Sequence, residues 1–277
     1  MQMKNALTID LEYWHSPELI RGFAPEKRDD LIIKMTTPIL SLLDEFGVSA
    51  TFFVLGAVAE KYPELVAEIH SRGHEIASHA CSHRTLHELG RDRFEDEIFW
   101  SVRLLREITG DAPIGFRAPS FSIDNTTRWA FDVLARYGFK YDSSIFPVTT
   151  YLYGVQDAPL GIYRPSARNV AENDPNGKII EFPLTILEYA WKIPISGGFY
   201  LRVLPLNTLK GMIRIVNEER PAVIYLHPWE IVPIMPRLKL PLQSRFITYC
   251  GIKSTRTKLE GLLDSFSFAP VREVLGL

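Results

Sequence analysis

The feature that most limits the fold is a repeated unit: a helix-like stretch stops at a glycine and passes within a few residues into a short apolar run. It occurs at Gly47, Gly73, Gly110 and Gly138. Residues 31–46 read as an amphipathic helix entered through Asp29 and Asp30, with Pro38 predicting a kink or break near Thr37. The unbroken apolar run 50–55 follows, as suits a strand covered on both faces. Helix 64–72, opened by Pro63, precedes strand 74–78, and helix 91–109 precedes strand 114–117. Helix 126–137, with Asn125 as its expected cap, precedes strand 139–142. A strand at 6–9 stands before this series, and helix 206–218 with buried strand 222–226 stands after it. Such alternation predicts a parallel sheet with right-handed crossovers, either a barrel or an open doubly wound sheet.

Polar residues fall at one end of these strands. Asp10, His79, Arg117, Asp142 and His227 each end an expected strand or follow it by one residue. That is the edge where barrel and open α/β folds place their sites. His79 and His83 lie about one helical turn apart, so a helical or tightly turned backbone aims both rings the same way, able to bind zinc or a similar divalent ion. A carboxylate from Asp10 or Glu12 completes three ligands if the chain bends at Leu11; the other then serves as general base to a bound water. His227 is placed to protonate a leaving amine, and Arg117 with Asp142 suggests an ion pair that orients the base or the acid.

The remaining composition narrows the setting. Lys plus Arg total 31 against 33 for Asp plus Glu, a net charge of −2 that suggests neither nucleic acid nor an anionic membrane as partner. Two cysteines make no disulfide framework, and Cys81 reads as small filling rather than a ligand. No run of about 18 apolar residues exists and the start shows no signal-peptide pattern, so a cytoplasmic protein is expected. No repeat or long linker divides the chain. One domain over residues 1–230 is expected, with a C-terminal extension, 231–277, packed on it.

Five short motifs, met in order, resemble the polysaccharide deacetylases with the NodB homology domain, carbohydrate esterase family 4. They are Thr8-Ile9-Asp10-Leu11-Glu12, Ser78-His79-Ala80-Cys81-Ser82-His83, Arg117-Ala118-Pro119-Ser120, Tyr141-Asp142-Ser143-Ser144 and Leu226-His227. Segments 236–241 and 268–274 resemble the tail of a subgroup tied to bacterial exopolysaccharide and exosortase loci. The resemblance implies a distorted (β/α) barrel of about seven parallel strands and metal-dependent N-deacetylation of an N-acetylated glycan or sugar precursor. It makes Asp10 the base, Glu12, His79 and His83 the metal ligands, and Arg117 the residue that orients the base. Ser120 lends a backbone N–H to an oxyanion hole, Asp142 helps form the groove wall, Leu226 lines the acetyl pocket and His227 is the acid. Trp14 and Trp229 become candidates to stack on sugar faces, and Arg164 and the turn 197–200 to line the groove. Histidine and carboxylate ligands suit zinc, with nickel, cobalt or manganese also accepted. The family's first motif usually has adjacent carboxylates; here Leu11 separates them, so the roles of Asp10 and Glu12 could be exchanged. A deformylase or allantoinase-like amidohydrolase, or a non-catalytic sugar-binding protein, shares the same implied fold.

Overall fold

The computed structural model describes residues 3–151 and 153–277. Eight strands form one sheet: β1 (Lys4–Leu11), β2 (Thr51–Val54), β3 (Glu75–Ser78), β4 (Gly115–Phe116), β5 (Tyr141–Asp142), β6 (Ile180–Glu181), β9 (Val223–Leu226) and β10 (Ser267–Ala269). The intervening β7 (Ile186–Glu188) and β8 (Lys192–Pro194) make a separate antiparallel hairpin. From β1 the sheet runs β2, β3, β4, β5, β6, every neighbour parallel. The other edge of β1 is divided: β9 pairs with Ala6–Ile9 and β10 with Lys4–Ala6. The expected distorted (β/α) barrel is therefore present, with one strand more than about seven because β10 shares that edge.

No ladder joins β6 to β9. The segment between them bridges the gap, with Tyr225 N–H donating to Ser196 O and Val223 N–H to Thr185 Oγ1. Side-chain parity then sorts residues between two layers. Leu7, Ile9 and Leu11 pack with Ile39, Leu40 and Leu43 under the helices, whereas Ala6 joins Phe53, Ala77, Tyr141 and Tyr225 on the inner face. Thr8 and Asp10 share the inner parity.

The glycine stops are found where expected. Gly47 takes φ +61°, and its N–H returns to the carbonyls of Leu43 and Asp44, a conformation that a Cβ would strain. Several boundaries differ. The helix Ile32–Phe46 runs through Pro38 without a break. Lys34, whose carbonyl the proline ring displaces, is exposed, and water can solvate it there. The helix expected from Arg91 starts at Leu86, because Thr85 and Glu88 form a reciprocal capping box; Gly90 marks a kink within it. The helix expected at 126–137 shortens to Ala130–Arg136, since Asp124 Oδ1 captures the N–H groups of Thr126 and Thr127 in a turn. Asn125 does not cap it; its Oδ1 accepts from Val170 N–H.

Short helices at Glu18–Arg21 and Gly56–Lys61 occupy segments in which no helix was expected. Past residue 231 the chain adds helices Leu242–Tyr249, Thr255–Leu263 and Val271–Leu275 besides β10. Among the described residues, no helix is long and apolar enough to cross a membrane.

Candidate active site

The C-terminal ends of β1, β3, β4 and β9 meet at one cavity, lined among others by Asp10, Glu12, His79, His83, Ser120 and His227. The inner parity of β1 delivers Asp10. Glu12 follows across a three-residue turn in which its N–H donates to Asp10 O at 3.1 Å, the bend expected at Leu11.

Arg117 fixes Asp10. Its guanidinium is wholly buried and donates from Nη1 to Asp10 Oδ1 at 2.7 Å and to Thr8 Oγ1 at 2.8 Å. Nε and Nη2 engage the carbonyl and hydroxyl of Ser143, and the plane lies 4.2 Å over the ring of Phe53. The expected ion pair between Arg117 and Asp142 is not formed. Asp142 accepts the Ser144 hydroxyl at 2.6 Å, and Ser144 Oγ in turn accepts the N–H of Ala118. Burial pushes the Asp142 carboxyl up, and burial together with Asp142 raises that of its neighbour Glu181 further. Asp142 thus supports the turn carrying Ser120 from beneath and does not line the cavity.

His79 and His83 are brought together, but by no helix. Ala80 and His83 adopt positive φ, +55° and +59°, and the loop is held from outside. Gly56 and Ala57 N–H groups donate to the carbonyls of Ala80 and Cys81, and Glu97 accepts the N–H groups of Cys81 and Ser82. A Cβ on Gly56 would come within 2.5 Å of Cys81 Sγ, so only glycine permits that approach. Cys81 is a packing residue: burial, then Glu97, pushes its thiol up to about 12, and its Sγ faces Glu97 O.

His79 Nδ1 lies 2.7 Å from Arg117 O. A carbonyl can only accept, so this nitrogen carries the proton and Nε2 presents its lone pair. Nε2 is 3.8 Å from Glu12 Oε2, and His83 Nε2 abuts the same oxygen. Yet neither oxygen of Glu12, nor His83 Nδ1, has a hydrogen bond of acceptable geometry, although all three atoms are buried. Burial alone would raise the Glu12 carboxyl. The charge of His83, contacts from both histidines and His227 outweigh it and hold the group well below the usual carboxylate range. One donor atom from each of Glu12, His79 and His83 lies within 4.8 Å of the others. A buried carboxylate without hydrogen bonds, facing two imidazole nitrogens, fits a divalent cation in charge and in donor type.

The opposite wall is built differently. His227 Nε2 lies 3.6 Å from Glu12 Oε1 and 4.0 Å from Asp10 Oδ2. Its Nδ1 meets Glu230 Oε2 at 2.8 Å, and Arg202 Nη2 meets Glu230 Oε1 at 3.1 Å. Arg202 is itself locked by the carbonyls of Gly198, Ile247, Thr248 and Cys250. Burial would lower His227; Glu230, Glu12 and Asp10 outweigh it and raise the group to about 9. Neither Glu230 nor Arg202 was foreseen. For Glu230 a signal existed: in His227-Pro228-Trp229-Glu230 a proline follows the cap and a glutamate stands at the third helical position.

Other expected positions divide. Ser120, with φ +51°, lines the cavity, as does Trp229, whose indole stacks on His227 at 5.2 Å between centroids. Leu226 does not: it has the parity of Ile224 and packs under the helices, so Tyr225 and Phe121 form the apolar wall instead. Trp14 is buried beside Ile20, Met35 and Trp229, with Nε1 on Asp29 O, and offers no face to a sugar. Arg164 turns away to donate to Gly177 O. Of the turn 197–200, Gly198 and Phe199 reach the cavity.

Residues 28–141 match the family model described as Polysaccharide deacetylase, and residues 143–276 match a Domain of unknown function (DUF3473). A peptidoglycan-N-acetylglucosamine deacetylase of Bacillus cereus is 36% identical over 99 residues, 35% of this chain and 36% of that protein. A peptidoglycan deacetylase of Helicobacter pylori is 33% identical over 122 residues, 43% of this chain and 41% of that protein. The chain thus spans well under half the length of these two relatives. A solved structure of a candidate polysaccharide deacetylase from Mycobacterium smegmatis superposes with a TM-score of 0.62 at 20% identity, covering 99% of this chain and 89% of that one, and shows the shared fold. Residues 28–141 thus carry a polysaccharide deacetylase domain by the family match, and the ends of β1 and β9, outside it, complete the cavity.

Proposed function

We propose that the protein is a metal-dependent hydrolase that removes acetyl groups from an N-acetylhexosamine in a bacterial polysaccharide or its precursor. The observation that carries this reading is Glu12: buried, without a hydrogen bond on either oxygen, and faced by His79 and His83. These three residues would hold the ion, with zinc best suited to the donor set. When bound, such a cation lowers the pKa of water and polarises the substrate carbonyl. The names of the relatives, a peptidoglycan-N-acetylglucosamine deacetylase and a peptidoglycan deacetylase, support the substrate class.

The chain's own groups then divide the proton transfers. Asp10, held through Oδ1 by Arg117, accepts the proton of the attacking water at Oδ2, the oxygen that faces His227. His227, with Nδ1 engaged by Glu230, donates from Nε2 to the departing amine. Ser120, on a turn supported through Ala118 by Ser144 and Asp142, offers its N–H to the carbonyl oxygen. Tyr225 and Phe121, their rings 5.0 Å apart, supply the apolar wall for the acetyl methyl.

Acetate release from a panel of N-acetylated glycans, with metal content measured on the same sample, tests the proposal. Release that depends on stoichiometric metal is expected. Protein without metal whose activity survives Asp10→Asn would overturn it.

A further inference from the structure

The balanced overall charge hides one local exception. Residues 231–259 carry six cations and no carboxylate, in a chain whose net charge is −2. Two of the six are already engaged: Arg256 in a surface pair with Glu260, and Lys258 with the carbonyls of Leu201, Arg202 and Leu204. Arg237, Lys239 and Arg245 are exposed. They flank the helix Leu242–Tyr249 or lie on it, and the first turns of that helix present apolar side chains to solvent. Leu242 is 84% exposed and Phe246 56%, one turn apart on the same face with Arg245 beside them.

The other end of this helix is fixed. Ile247 and Thr248 line the cavity, and the carbonyls that follow hold Arg202. Phe246 stands 6.0 Å from the ring of Phe199, itself a lining residue, so the exposed face borders the cavity. Large apolar side chains held outward by a rigid anchor, among cations without a nearby acid in sequence, are the pattern of a surface that lies in a lipid headgroup layer. The apolar groups enter the acyl boundary and the cations meet anionic headgroups.

We infer that the face formed by Leu242, Phe246, Lys239 and Arg245 docks on an anionic lipid bilayer and sets the cavity beside the membrane surface. This goes beyond the deacetylase reading and does not depend on it, because docking needs neither the metal nor turnover.

The test is co-sedimentation of the full chain with phosphatidylcholine vesicles, with and without phosphatidylglycerol. Binding is expected on the anionic vesicles, weak on the neutral ones, and reduced by salt. Replacing Lys239→Gln and Arg245→Gln together should lower the partition coefficient about 30-fold, from about 1 kcal/mol per cation. Leu242→Ser with Phe246→Ser should lower it about tenfold or more. Melting curves matching the parent show that both variants fold. Absence of binding, equal binding to the two vesicle types, or parental binding by both folded variants overturns the inference. So does a concentration-dependent dimer that Leu242→Ser with Phe246→Ser abolishes while vesicles bind nothing, which would make the face a protein interface.

Discussion

Two walls of one cavity solve the problem of buried polar groups in opposite ways. On the wall of Glu12, His79 and His83, three polar atoms are buried without a hydrogen bond. On the wall of His227 the ionic chain is closed, from Nδ1 to Glu230, from Glu230 to Arg202, and from Arg202 to four backbone carbonyls, although the buried Nε1 of Trp229 beside it makes no hydrogen bond. Burying a carboxylate whose oxygens lack hydrogen bonds is costly even with imidazoles facing it, so a fold keeps such a group where a ligand completes it. A closed chain needs nothing added and serves to hold one nitrogen in place. In the proposed reading the first wall is the binding site and the second the positioned proton donor.

The sharpest way to test that division is Asp10, which faces both walls. Asp10→Asn should lower kcat about 10²–10⁴-fold while metal analysis still finds the ion, because the base is lost and the ligands are not. An ion lost with Asp10→Asn but kept by Glu12→Gln would exchange their roles. Next in size is the closed chain. Arg202→Met leaves Glu230 buried without its cation and should cost about 3–5 kcal/mol in stability, read from denaturant melts.

A smaller effect separates the acid from its support. Glu230→Gln should lower the rate about tenfold to a hundredfold. It should also move the alkaline limb of the pH profile: Glu230 is the largest of the groups that raise His227, so without it the fall starts at lower pH. On the open wall, Glu12→Gln should abolish the stabilisation that zinc gives the parent protein, read as the difference between melts with and without the metal. Arg164→Ala, outside both walls, should alter stability by less than about 0.5 kcal/mol and leave kcat unchanged.

Much of this arrangement could be read from residue order, and what could not has physical causes. Strand ends were legible because glycine stops and apolar runs are local signals; Asp10, His79 and His227 line one cavity, and Arg117 sits behind it on Asp10. Leu226 was misplaced through parity: adjacent residues of a strand face opposite layers, and His227 claims the inner one for Tyr225. The pairing of Arg117 with Asp10 rather than Asp142 depends on which strand lies opposite which, and no local pattern states that. His79 and His83 meet through positive φ at Ala80 and His83, non-glycine residues whose local preference points elsewhere. Arg202 was invisible because its partners, residues 230 and 247–250, lie far along the chain. Trp14 shows the ordinary fate of a large aromatic, burial among its own kind.

The divided edge of β1 has a consequence for how the molecule is made. The strand β1 leaves the ribosome well before the partners of that edge, Val223–Leu226 and Ser267–Ala269. Until they arrive, the central strand of the barrel presents unpaired backbone to any other extended segment. Pairings of such sequence separation make assembly slow. A nascent chain stalled before residue 223 holds Asp10 and both histidines of the candidate metal site, but not the strand pairing that finishes β1. In this protein strands made later complete β1.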